Sequence, residues 1–222
     1  MIAENLNKVL NTIPSEVLLV AVSKTKPNSD IMVAYEAGQR VFGENKVQDM
    51  AAKAEALPKD IQWHMIGHLQ SNKVKYIASF VSLIHGIDSL KLLKEVNKRA
   101  AQHKRVIDCL LQIHVAQEET KFGLDETEAR AVISTVEELK NIRIVGLMGM
   151  ATNTSDEAQV RKEFAGLKDL AIKLKTENCL LPTVSMGMSG DYLLAIQEGS
   201  TMVRVGSAIF GSRNEDIKKT NS

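Results

Sequence analysis

The chain has 222 residues, with 28 Lys and Arg against 27 Asp and Glu and a formal net charge of +1. That balance supplies no field to draw nucleic acid or an acidic membrane surface, and aromatics at 4% leave no stacking platform for single strands. The length suits one domain, residues 1–222, that can bury a large core; the two cysteines, Cys109 and Cys179, are too few and too far apart for a disulfide framework and read as reduced and buried.

The N-terminal "MIAENLNKVLNTIP" mixes polar and apolar residues at helical spacing and carries no small-residue cleavage signal, and no run reaches the about 18 apolar residues that span a bilayer. A cytoplasmic protein is expected. Short apolar, β-branched runs then recur: "VLLVAV" (17–22), "RVFG" (40–43), "QWHMIG" (62–67), "LIHGI" (83–87), "VIDCLLQIHV" (106–115), "IVGLMGM" (144–150), "TVSMGM" (183–188) and "MVRVG" (202–206). Amphipathic segments separate them. The stretch 88–102 starts at Asp88, a good helix cap, and keeps Leu93, Val96 and Ala100 on one face. A later helix is capped by Thr154 or Ser155 and aligns Val160, Phe164, Leu167, Leu170 or Ala171, and Leu174; Gly38 and Gly199 sit where helices stop. Eight strands alternating with single helices predict a (β/α)₈ barrel, with an open doubly wound sheet as the alternative.

In such a barrel chemistry belongs to the C-terminal strand ends. The first strand runs into "SKTKP", and period-two alternation puts Lys24 on the face of Val20 and Val22, with Lys26 in the loop. Lys24 either snorkels to solvent or stands at the barrel mouth, where desolvation favours the neutral amine that attacks an aldehyde. Arg204 shares a face with Gly206, and Gly206–Ser207 open a loop that fits either a phosphate or an ordinary turn. "TVSMGMSGDY" packs Ser185, Gly187, Ser189 and Gly190 together, for a close ligand or for a tight turn capped by Asp191. Asn45 lies just past the second strand. His64 and His68 could share a metal on a helix, but Gly67 interrupts and no further ligands follow, so His64 reads as a packed strand residue and His68 as a loop residue. Lys121, after the fifth strand, reads as a solvated loop cation, and the methionines of "GLMGM" as core rather than pocket lining.

Taken together and in order, "AVSKTKP", "FGENKVQ", "WHMIGHLQSNK", "GLMGMA", "VSMGMSGDY" and "GSTMVRVGSAIFG" resemble the pyridoxal 5′-phosphate homeostasis proteins, from about Val17 to Gly211. These are similar to the barrel domain of bacterial alanine racemase. The resemblance implies pyridoxal 5′-phosphate as cofactor, with Lys24 as the Schiff-base lysine and Arg204 facing the pyridine nitrogen. It places Gly206, Ser207 and Ser189 on the phosphate, with Asn45 and Met65 or Ile66 near the ring. Ser207 stands where threonine is common in the family, and Met65 where phenylalanine often does. A ring nitrogen facing arginine stays unprotonated and is a poor electron sink. The racemases also take a tyrosine from a separate β-domain and a dimer partner, whereas Tyr35, Tyr76 and Tyr192 lie in helical stretches here. The expectation is a monomer that holds, buffers or delivers the vitamin B6 aldehyde without efficient turnover. Rival readings are an amino-acid racemase using the same lysine, or a lysine-imine aldolase of sugar phosphates, in which Arg204 has no clear task.

Overall fold

The structure, a computed structural model, describes residues 1–115 and 123–211. Lys121 lies outside the described residues. Eight parallel strands close on themselves in chain order: β1 (Leu18–Val22), β2 (Val41–Glu44), β3 (Gln62–Met65), β4 (Leu83–Ile87), β5 (Ile107–Gln112), β6 (Ile142–Met148), β7 (Thr183–Met188) and β8 (Met202–Val205). The barrel shuts where β1 pairs with β8, Leu18 against Met202 and Val20 against Arg204. This is the (β/α)₈ barrel, and the open sheet is ruled out.

Helices α1 (Ile2–Leu10), α2 (Asn28–Glu36), α3 (Val47–Ala56), α4 (Leu90–Gln102), α5 (Glu126–Ile133), α6 (Glu157–Leu174), α7 (Tyr192–Gln197) and α8 (Ser207–Phe210) accompany the strands. The β3–β4 crossover is a 3₁₀ segment, Ser71–Tyr76, instead of an α-helix. No helix among the described residues is long and apolar enough to cross a membrane.

Period-two alternation sorts the strand side chains into two cores. Val20, Val41, Leu83, Leu110, Met148 and Met202 fill the barrel interior. The alternate strand positions, among them Leu19, Ala21, Phe42, Trp63, Met65 and Ile84, face the helices in the larger outer core. The helix caps differ from expectation by a residue or two. Ser89, not Asp88, caps α4 by accepting from Leu92 N–H, and the Asp88 carboxylate goes to His68 at 3.2 Å. Asp156 caps α6 through Ala158 and Gln159 N–H, while Thr154 accepts from Asp156 N–H. Ala171 takes the buried position, leaving Leu170 partly exposed. Gly38 and Gly199 stop α2 and α7 at φ +103° and +93°, a region that favours glycine. Cys109 and Cys179 are both buried thiols.

Candidate functional site

The C-terminal strand ends enclose a cavity of about 620 Å³ lined by Val22, Lys24, Asn45, Ile66, Met148, Met150, Ser189, Arg204, Gly206 and Ser207, with Gln112 and His68 at its margin. Lys24 continues the inward parity of Val20 and Val22 and is half-buried against the cavity. The next residue, Thr25, turns the chain at φ +65°, a left-handed conformation that costs a β-branched residue about 1–3 kcal/mol.

What holds this turn is the residue before the lysine. Ser23 N–H donates to Gly43 C=O at 3.0 Å, and its hydroxyl donates to Glu44 Oε1 at 2.6 Å. Lys53, from α3, donates its ammonium to Glu44 Oε1 at 2.7 Å and to the Ser23 carbonyl at 2.9 Å. Glu44 is fully buried, and its Oε2 has no hydrogen-bond partner among the described residues.

Arg204 enters from β8, 4% exposed. Its Nη1 donates to the Ser185 carbonyl at 2.9 Å and to Ser185 Oγ at 2.6 Å, and its Nη2 to Gly149 C=O at 3.0 Å. Burial lowers its pKa to about 10, partly offset by the field of Asp191, so the guanidinium keeps its proton at neutral pH. Beside it the β7–α7 and β8–α8 loops meet. Ser189 Oγ accepts from Gly206 N–H at 3.1 Å and from Ala208 N–H at 3.4 Å, so a hydroxyl oxygen sits where two backbone donors converge. A Cβ on Gly206 would crowd Val22 at 3.2 Å, whereas one on Gly190 would meet nothing within 4 Å. Asn45, just past β2, lines another wall of the cavity with its Oδ1 buried and without a hydrogen-bond partner among the described residues.

The sequence profile of the alanine racemase N-terminal domain matches residues 1–214. A pyridoxal phosphate homeostasis protein of Aquifex aeolicus is 42% identical over 197 residues, spanning 88% of this chain and 86% of that protein. The chain belongs to the pyridoxal phosphate homeostasis protein family. PipY of Synechococcus elongatus, solved without PLP, superposes with a TM-score of 0.91 at 37% identity, covering 95% of this chain and all (100%) of PipY. The same protein with PLP bound gives 0.88 at 36% identity, with the same coverage.

Within this family frame, Lys24, Arg204, Gly206, Ser207, Ser189 and Asn45 come together around one cavity. Met65 does not. It follows inward-facing His64, so its side chain points outward into the core against the helices, fully buried, and Ile66 takes the place at the cavity wall. The tight-turn reading holds for Gly187, whose φ is +95° and whose Cβ would strike Ala195. Asp191 stands at the α7 cap position but accepts from Met188 N–H, not from the helix. Met148 belongs to the buried inner core, as expected, and with Met150 also lines the cavity. His64 is buried inside the barrel against His85, and His68 pairs with Asp88 at the rim. The sequence reading missed Glu44 with Lys53, Gln112 and His85. Inward parity within "LIHGI" was the one signal that could have flagged His85.

Proposed function

We propose that this protein binds pyridoxal 5′-phosphate in the mouth cavity through a covalent link to Lys24 and serves the cell by holding, buffering or delivering the vitamin. The observation that carries this is the convergence of three unlike groups on one cavity: the Lys24 amine, the Arg204 guanidinium and the N–H donors of Gly206 and Ala208. Pyridoxal phosphate presents an aldehyde, a ring nitrogen and a phosphate, one for each. The orphaned Asn45 Oδ1 fits a ligand that brings a hydroxyl to that wall.

When bound, the cofactor supplies an electrophilic aldehyde and an electron-withdrawing ring. Lys24 is the nucleophile for the aldehyde, and Ser207 and Ser189 hydroxyls, with the Gly206 and Ala208 N–H groups, hold the phosphate after Ser189 rotates away from them. Arg204, charged at neutral pH, offers a hydrogen to the ring nitrogen and opposes its protonation, which weakens the ring as an electron sink. The tyrosines support the same reading. Tyr35 O–H donates to Asp60, Tyr192 O–H bonds Thr12, and Tyr76 sits exposed on the 3₁₀ segment, so none of them borders the cavity as a second proton carrier. The proposal extends to a cytoplasmic monomer that retains the cofactor without efficient turnover.

The test is near-ultraviolet and visible absorbance before and after borohydride reduction, followed by peptide mapping. The loaded protein is expected to be yellow and to carry a reduced pyridoxyl group on Lys24. Lys24→Ala should lose the band while keeping its circular dichroism, and an unaltered spectrum in that variant would overturn the assignment. Ser207→Ala should weaken retention and keep the band. In heavy water, bound amino acids should exchange their α-hydrogen no faster than with free cofactor; faster exchange would bring the racemase reading forward.

A further inference from the structure

At the floor of the cavity, Arg204 starts a hydrogen-bonded row of four side chains, of which the other three have no part in the reading above. Arg204 on β8 donates to Ser185 Oγ on β7 at 2.6 Å. That oxygen lies 3.1 Å from His85 Nδ1 on β4, and His85 Nε2 lies 3.0 Å from His64 Nδ1 on β3. All four residues are 4% exposed or less. In a closed barrel ordered by sequence, β3 and β4 stand opposite β7 and β8, so the row crosses the lumen from wall to wall.

A guanidinium only donates, so Ser185 Oγ accepts from it; among the described residues the sole other partner of that oxygen is His85 Nδ1, and the row is fully satisfied when the serine hydrogen goes there. An accepting Nδ1 belongs to a neutral imidazole with its hydrogen on Nε2, and that hydrogen points at His64 Nδ1. His64 is then also the Nε2–H form. The surroundings oppose any charged alternative: burial pushes the His64 pKa down to about 3, and burial with the charges of His64 and Arg204 holds His85 well below the ordinary range.

On the reading that Arg204 meets the cofactor ring, we propose that Ser185 and His85 are positioning residues for the cofactor. They lock both Nη1 hydrogens of Arg204 into the barrel wall. Nη2 spends one hydrogen on Gly149, and among the described residues no acceptor takes the other or the Nε hydrogen. Those two are left for the ring nitrogen. Without the Ser185 hydroxyl one Nη1 hydrogen is released and the guanidinium, still held by the Ser185 and Gly149 carbonyls, can tilt in its plane, and without His85 the serine hydrogen has nowhere to point and the serine can turn away.

The first measurement is nitrogen NMR of histidine-labelled protein without ligand. Both His64 and His85 should read as neutral Nε2–H imidazoles from mildly acid to mildly alkaline pH, and a charged His85 or a hydrogen on its Nδ1 would overturn the row. The second is loading with pyridoxal phosphate. Ser185→Ala and His85→Leu should each raise the dissociation constant about tenfold and move the visible band. His85→Asn, which keeps an acceptor at the Nδ1 position, should restore both, separating positioning from mere packing. An unmoved band and unchanged affinity in folded Ser185→Ala and His85→Leu would overturn the role. If pyridoxal phosphate never loads while the imidazoles keep their expected form, the functional reading fails with the positioning role, and the row alone stands.

Discussion

Ser23 is clamped from two sides, its hydroxyl by Glu44 and its carbonyl by Lys53, and Lys24 inherits the position that results. The Glu44–Lys53 pair is buried on both sides, so its partners cannot be removed singly without leaving a charge out of water. Lys53→Met is expected to cost about 3–5 kcal/mol in urea unfolding and to slow aldehyde capture by Lys24. Glu44→Leu combined with Lys53→Met should recover much of the stability but not the capture rate, because Ser23 loses its clamp in either case. A loss below about 1 kcal/mol for the single variant would mean the pair is solvated like a surface bridge. In sequence these two look like ordinary surface charges. The second strand was expected to end at Gly43, and that one residue put Glu44 in a loop when it is the last, fully buried position of β2.

The strands are held by close contacts that glycine permits. Gly146 in β6 pairs with Thr183 in β7, and a Cβ there would land on the Thr183 carbonyl oxygen. Gly166, inside α6, would meet nothing within 4 Å. Gly146→Ala should therefore cost more than the about 1–3 kcal/mol of ordinary overpacking, while Gly166→Ala should stabilise by about 1 kcal/mol through helix propensity. Thermal unfolding of the two variants decides it, and similar shifts in both would contradict the contact. The barrel itself was legible because each strand is a compact apolar run and the count of strand–helix units closes a ring. Lys24 and Arg204 were legible by parity, since each shares a face with inward-pointing neighbours. Caps and strand ends were less so: Asp88 and Ser89, or Thr154, Ser155 and Asp156, are all competent caps, and only the chain's path chooses. The 3₁₀ crossover carried no distinct signature. The Ser185–His85 contact joins residues 100 apart in sequence, and no local pattern reports a pairing that exists only after closure.

At the scale of the whole molecule, the buried imidazoles tie stability to pH. Unfolded, a histidine binds its proton near pH 6.5; in the fold His64 does so only near 3. Between those values the unfolded chain holds more protons, so stability rises with pH and falls as pH drops below about 6.5. At pH 5 His64 alone accounts for about 2 kcal/mol of loss, and His85 acts in the same direction. Urea unfolding at pH 7 and pH 5 should show this, with a shallower dependence in His64→Gln; equal dependence in the two proteins would contradict it. The same row also explains how a barrel can bury a guanidinium that donates only to carbonyl and hydroxyl oxygens. With each hydrogen pointing away from β8, the bond dipoles of Ser185 and His85 add head to tail and rest their negative end on Arg204. The protein has thereby built a counter-ion that carries no net charge. It carries no net charge for chloride to compete with and lasts until acid protonates the buried imidazoles, His64 near pH 3, so the grip of Arg204 on whatever occupies the mouth should be indifferent to ionic strength.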